Sequence, residues 1–482
     1  MSLSTTPHPG ASAPARADRR AWRGLGLLAT AQFMVVLDAS IVNIALPDMG
    51  SSLSVSATAL SWIITAYVVA FGALLPLGGR LADLLGRRRM FVGGVGLFTL
   101  MSLAAGLAPS GAMLIGTRAA QGVGAALLAP AALSLVTSLF TEAAERTKAL
   151  AIWGAVAAGG GAAGVLLGGL LTGALGWRSV FLINVPVGLA VLALIKRYVD
   201  EPARPEGRLT LARFDLPGAA AVTGGLVALV TALSQGETWG WDSGRVIGLF
   251  VAAAVLLVTF VAVELRTVHA LVPMRLFSLR TVSAGNLVML LTGAAMLGLF
   301  YFLSLYEQVV LGYSSVTAGL SQLPLALALI LAAGLAAPLM TRFATRSVLA
   351  GAMATFAAGL AWLSRADASG RFVVDVLGPS LLIGVGLGVA FVAITSLAVA
   401  GVPESDNGVA GGLVNTSQQV GGAIGLAALA ALATSRTGHA AAHGQATITA
   451  LTDGYAAAFL GAGAIALVAA ALTLAVVRSG DR

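Results

Sequence analysis

Cysteine is absent from the 482-residue chain, which excludes disulfides, thiolate metal sites and a catalytic thiol, and leaves the redox compartment unread. Charge is nearly as scarce: Asp, Glu, Lys and Arg together make up 10%, against about 25% in soluble domains. The four histidines, His8, His269, His439 and His443, all fall in tails or in connections between apolar runs. No histidine cluster can assemble within those runs, so no metal, no cofactor and no enzymatic centre of the soluble type are expected, and any proton relay there must use carboxylates. A GxxxxGK[ST] phosphate loop is missing and no connection is long enough for a nucleotide-binding domain, which disfavours direct drive by ATP unless a separate subunit supplies it. Only Lys148 and Lys196 among the 28 basic residues are lysines, and the basic residues do not gather with aromatics into a soluble domain. The isoelectric point near 10.5 therefore does not point to nucleic acid. The N-terminal stretch "MSLSTTPHPGASAPARADRRAWRG" lacks the apolar core and cleavage site of a signal peptide and reads as a retained, disordered tail.

What the chain has is apolar length. Hydrophobic residues are 58% and mean hydropathy is +0.93, values of a membrane protein. A membrane helix needs about 20 apolar residues, and fourteen stretches free or nearly free of charge meet that need, from 24–47 through 454–477. An even number of spans puts both termini on one side. With that side taken as cytoplasmic, 22 of the 28 basic residues lie in the tails and inner connections, five (Arg178, Arg245, Arg365, Arg371 and Arg436) lie outside, and Arg118 lies within a span. Basic residues favour cytoplasmic connections, and a miscounted span would scramble this asymmetry from that point on. The expectation is an all-α, multi-pass protein of the cytoplasmic (cell) membrane with both termini inside.

Two ionisable residues lie well within spans, where charge is costly and marks function: Asp38 in the first and Arg118 in the fourth. Counted from the outer ends of their spans, their depths differ by only roughly 5 Å at the helical rise per residue, so they can face one another. Burial disfavours the charge on a carboxylate while a neighbouring guanidinium favours it, and this opposition can poise Asp38 to load and release a proton; a purely structural ion pair is the alternative. Gln121, one turn from Arg118, shares its face and can hold either side chain or contact a bound molecule. Glu307, near the outer end of the ninth span, is read as sitting in a solvated mouth. Asn184, close to Pro186 in the sixth span, is read as a hydrogen-bonding link between helices. Both stay on the list of cavity candidates with Gln121. The tenth span carries no acidic residue, so no second intramembrane anion is evident there.

The stretch "GGRLADLLGRRRM" (78–90) packs five charged side chains into the inner turn between the second and third spans. Gly78, Gly79 and Gly86 allow a tight turn and close helix approach, Asp83 can accept hydrogen bonds from arginines or a helix N-terminus, and Arg87, Arg88 and Arg89 hold the inner side. A plain positive anchor would need the arginines but neither the glycines nor Asp83. This stretch resembles motif A of the major facilitator superfamily, G-x-L-a-D-r-x-G-r-[RK]. Further stretches resemble signatures of its 14-span drug:proton antiporter branch: "LDASIVNIALP" (37–47), "RAAQGVGAAL" (118–127, motif B), "GGGAAGVLLGG" (159–169, motif C), "WRSVFLINVPVG" (177–188), "QVVLGYSSVTAGLSQLP" (308–324) and "GLVNTSQQVGGAIG" (412–425).

The resemblance covers nearly the whole chain and implies the major facilitator fold: a cytoplasmic tail 1–22, an N-terminal six-helix bundle 23–197, a linker with two inserted spans 198–279 and a C-terminal six-helix bundle 280–478. It implies proton-coupled antiport of hydrophobic or amphiphilic drugs or antibiotics by alternating access, a monomer whose partners are a small molecule, protons and the bilayer. Asp38 and Arg118 would couple the proton, Gly79, Asp83, Gly86 and Arg87 would form a conformational latch, and Gly160, Gly164, Gly168 and Gly169 are the motif C glycines. The alternatives are a dedicated exporter of one endogenous antibiotic or metabolite and, from a different class, a non-transporting membrane sensor or scaffold. Two positions depart from the family pattern. Val165 stands where motif C usually has proline, and in the half-repeat "APLMTRFATR" (337–346) Arg342 stands where the counterpart of Asp83 would fall.

Overall fold

A computed structural model describes residues 15–140, 142–201, 215–267, 270–403 and 406–477. Among them, fourteen helices are long and apolar enough to cross a membrane. They are α1 (Arg19–Leu53), α2 (Ala57–Leu85), α3 (Arg87–Gly106), α4 (Gly111–Leu139), α5 (Ala144–Leu175), α6 (Ser179–Tyr198), α7 (Leu216–Trp239), α8 (Gly244–Arg266), α9 (Arg280–Val310), α10 (Ser315–Arg342), α11 (Thr345–Leu363), α12 (Phe372–Val399), α13 (Gly408–Ala442) and α14 (Thr447–Val476). Helices close their own backbone hydrogen bonds, which lipid cannot do for them, and the spans read from the sequence fall on these helices one for one. The tail is shorter than expected. α1 continues back to Ala15, so residues 15–22 are helix rather than disordered tail, and only 1–14 of the tail lie outside the described residues, as do 202–214 of the linker. Arg20 reaches across the bundle to Asp200 (2.8 Å), and the guanidinium groups of Arg23 and Arg197 lie over the Tyr198 ring.

The start of α1 and the end of α14 share one face of the molecule, called the terminal face below; the opposite one is the distal face. Helices α1–α6 pack together, α9–α14 pack together, and α7 and α8 pair with each other while α7 also touches α2 and α13. The halves meet along α2 with α13, α5 with α10, and α1 with α9. Serine hydroxyls of Ser56, Ser110, Ser243 and Ser314 cap the N-termini of α2, α4, α8 and α10 at the distal face, which satisfies orphan backbone N–H groups without adding charge.

Irregularities in these helices have local causes and set the sites. α10 breaks at Gln322, immediately before Leu323 and Pro324, because proline brings no N–H to the ladder. α9 ends in a wider π turn over Tyr306–Val310. Pro47 in α1 likewise supplies no N–H to the carbonyl of Asn43 four residues back, and Pro130 in α4 none to that of Ala126. The first accepts a hydrogen bond from the other bundle, and the second faces a glycine of α2.

Candidate functional site

Asp38 and Arg118 form a buried ion pair between α1 and α4, at 0% and 1% side-chain exposure. Arg118 Nη1 donates to Asp38 Oδ2 and to Gln121 Oε1 (2.7 Å), and its Nε donates to the Ile63 carbonyl of α2 (3.2 Å). Asp38 Oδ1 accepts from Gln121 Nε2 (2.9 Å) and from Asn184 Nδ2 of α6 (2.9 Å). Three helices thus meet at one carboxylate, and α2 joins them through Arg118. Gln121 reaches it because three residues along a helix return to the same face. Asn184 does link helices, as expected, and the helix it links to is the one bearing Asp38.

Two members of this cluster were not read from the sequence. Ser102 of α3 accepts from Asn184 (3.0 Å) and Gln121 (3.3 Å) and donates to the Phe181 carbonyl (2.9 Å). Tyr67 of α2 presents its ring face to Arg118, with the guanidinium carbon 4.2 Å from the ring centroid, a contact that favours the cation in a dry site. The arrangement holds Asp38 with three donors and no exposed surface. Exchange of a proton or entry of a cation there requires the helices to move.

Glu307 is not in a solvated mouth. It is fully buried, because α9 runs past it to Val310 and the α10 break folds back over it. Its Oε1 lies 2.6 Å from Ser321 Oγ, and its Oε2 accepts from Gln322 Nε2 (2.7 Å). The tenth span has no acid of its own, yet a carboxylate from α9 lies against it.

On the distal side the two bundles are bonded to each other. Ser304 donates to the Asn43 carbonyl (2.7 Å), the acceptor that Pro47 leaves free, and Gln308 donates to the Ile44 carbonyl (2.9 Å). The motif C glycines have a division of labour. Cβ atoms added at Gly160, Gly164 and Gly168 would press on Val36, Ser40 and Ile41 of α1, whereas one at Gly169 would lie 2.5 Å from the Ser315 carbonyl of α10. A Cβ at Gly319 of α10 would in turn meet the Val165 carbonyl at 2.8 Å. The first three seat α5 inside its own bundle; Gly169 and Val165 form the seam with the other, and the distal face is shut.

At the terminal face Gly86 alone joins α2 to α3, with φ +109°, a conformation that L side chains resist. Gly78 packs against the free Ala126 carbonyl of α4 with no room for a Cβ, but Gly79 has its nearest neighbour, Pro130 Cβ, at 3.7 Å. The close approach therefore rests on Gly78, and Gly79 is not needed for packing in this conformation. Asp83 pairs with Arg87 at 3.3 Å, both substantially exposed, while Arg88 binds the Val199 carbonyl (3.0 Å) and Glu201. A separate cavity of about 370 Å³ between α10, α11 and α12, lined by Leu339, Phe343, Gly351 and Val389 among others, lies wholly in the second bundle and does not border Asp38.

Two helical bundles joined by an inserted pair, with a charged cluster sealed between α1 and α4, make a multi-pass helical membrane protein. A sequence model described as Major Facilitator Superfamily matches residues 28–426, and the chain belongs to that family. It is 42% identical to the "Cephamycin export protein CmcT" of Amycolatopsis lactamdurans, covering 96% of this chain and 94% of that protein. It is also 42% identical to the "Puromycin resistance protein pur8" of Streptomyces alboniger, over 96% and 92%. Among solved structures, a bacterial homologue of the human lysosomal transporter Spinster, inward-facing and unoccupied, superposes with a TM-score of 0.69 at 16% identity, covering 97% of this chain and 98% of that one. At that identity the likeness speaks for the fold alone.

Proposed function

We propose that this protein is a proton-coupled antiporter that exports hydrophobic or amphiphilic antibiotics across the cell membrane by alternating access, with its terminal face in the cytoplasm. The observation that carries the reading is the Asp38 cluster: a carboxylate out of contact with water, held against one guanidinium and two amides, in the bundle that must rock to expose it. A proton on Asp38 removes its charge, but Arg118 keeps Gln121, the Ile63 carbonyl and the Tyr67 ring, so the cluster tolerates both protonation states. Protonation from outside would accompany release of the exported molecule, and loss of the proton to the cytoplasm would prepare the next loading. Export of one dedicated antibiotic is the second reading, since the names of two relatives specify cephamycin and puromycin individually while another is a "Multidrug resistance protein Stp".

Everted vesicles from a host lacking its own exporters test the proposal. Addition of a transported antibiotic should release protons from the vesicle lumen, and collapse of the pH gradient should stop uptake. Uptake that persists with the proton gradient collapsed would rule out proton coupling, and indifference to a panel of antibiotics and dyes would rule out drug export.

A further inference from the structure

Ser321 Oγ lies 2.6 Å from Glu307 Oε1 and 2.8 Å from the Ala318 carbonyl, yet a hydroxyl carries one hydrogen. Both contacts are satisfied together only if Glu307 itself carries a proton: its O–H then donates to Ser321, Ser321 donates to Ala318, and Gln322 donates to the remaining carboxyl oxygen. The surroundings agree. Among the described residues no Lys, Arg or His pairs with Glu307. The ionisable groups nearby are Tyr306 and Tyr313 on its own side, Asp367, Asp375 and the adjoining Arg365 and Arg371 of the stretch that leads into and begins α12 and meets Tyr306, and Tyr455 of α14 against Phe302. From α10 come only Ser321 and Gln322, and α1 meets this corner through backbone carbonyls. An unpaired carboxylate in such a place is costly.

The residues flanking Glu307 are the ones that shut the distal face. Ser304 and Gln308, one turn before it and next to it, bond α1; Ser315 and Gly319, on the segment that Glu307 grips through Ser321, meet Gly169 and Val165 of α5. Ser315 also donates to Gln308 (3.3 Å). We propose that Glu307 is a second proton-binding site, in the second bundle, and that the proton on it holds the α9–α10 corner in the shape that closes the distal face. The ionised form claims the Ser321 hydrogen, frees the Ala318 carbonyl and loosens the segment that closes on α5. Closure from the outward-open state therefore takes up a proton from outside at Glu307, separately from Asp38. This inference rests on the antiport reading for its place in the cycle, but its test does not need transport.

In the cysteine-free chain, Ile44→Cys places a thiol under the closed corner, since Ile44 is fully buried here. Labelling by an impermeant maleimide from outside, taken as a ratio to that of the exposed control Ser52→Cys because every thiol reacts faster as its thiolate fraction grows, should rise with external pH, approaching about tenfold per pH unit where one proton governs closure. Glu307→Gln keeps a neutral group that donates to Ser321 and accepts from Gln322, so this ratio should be low and flat with pH. In the Asp38→Asn background the rise with pH should persist. As a second measurement, purified Asp38→Asn protein should show the infrared carbonyl band of a protonated carboxyl at neutral pH, and adding Glu307→Gln should remove one component of it, leaving any contribution from Glu264, which is buried beside Asp215. A flat profile with Glu307 present, an unchanged rise in Glu307→Gln, or no protonated-carboxyl component lost on adding Glu307→Gln to Asp38→Asn would each overturn the proposal. Absence of substrate-driven proton release would instead sink only the antiport reading.

Discussion

Asp38→Asn removes the charge and keeps the shape, and the cluster shows what that costs. The carboxylate accepts from Arg118 on one oxygen and from two amides on the other. An asparagine has one acceptor oxygen, so if that oxygen stays with Arg118, its NH2 faces Gln121 Nε2 and Asn184 Nδ2. Asn184, whose own Oδ1 has no partner, can turn over at the cost of its bond to Ser102. Gln121 cannot, because its Oε1 already serves Arg118. One buried donor is left facing another, a penalty of about 1–3 kcal/mol, and Arg118 loses its counter-charge, for which a broken buried pair typically costs about 3–5 kcal/mol. The variant should therefore be measurably less stable, and its transport must be normalised to inserted protein. So normalised, antibiotic uptake into everted vesicles should fall to background and substrate-driven proton release should vanish. If the variant releases protons on antibiotic addition with the same pH profile as the parent, Asp38 is a structural ion pair and the coupling argument fails.

Arg118→Lys should restore only part of the activity lost in Arg118→Ala, since an ammonium cannot reach Asp38, Gln121 and the Ile63 carbonyl together or stack on Tyr67; equal uptake in the two variants would show that the fork geometry is irrelevant. Gly78→Ala should lower thermal stability sharply, whereas Gly79→Ala should leave it within about 0.5 kcal/mol, read from unfolding midpoints. Gly169→Val should wedge the distal seam and raise impermeant labelling of Ile44→Cys several-fold, and unchanged labelling would place the seam elsewhere. The exposed Asp83–Arg87 pair is worth at most about 0.3–0.5 kcal/mol in this conformation, so Asp83→Asn should barely change stability; slowed turnover in the same variant would locate its contribution in the other conformation, and normal turnover would reduce it to part of an anchor.

The spans were legible because lipid imposes one rule on every helix, and a charge-free run of sufficient length has few other uses. Asp38 and Arg118 stood out for the same reason, as violations of that rule, and helical spacing brought Gln121 with them. Ser102 and Tyr67 did not stand out, because neutral polar residues are ordinary in membrane helices and only their partners give them meaning. Glu307 was misplaced by its position near a span end: the π turn and the α10 break that enclose it depend on how α9 and α10 dock. Residues 15–22 look like tail in composition, but their helix is held by Asp200 and Tyr198, some 180 positions away in the chain.

Pro47 gives the distal closure an unusual energetic character. The acceptor that Ser304 uses is made by a missing N–H in α1, so it has no helical bond to return to when the bundles part; water must take it. Opening then exchanges a serine for a water molecule at one oxygen, a trade worth about 0.5–1.5 kcal/mol, small enough that one chemical event can reverse it. A substitution such as Pro47→Ala would give the Asn43 carbonyl an internal partner, so that the oxygen, which has two lone pairs, keeps one hydrogen bond when Ser304 leaves and needs water less. On the alternating-access reading, the sensitivity of the closure thus resides in a residue four positions from the carbonyl that Ser304 holds, and variants at this position should change how long the protein dwells on each side of the membrane.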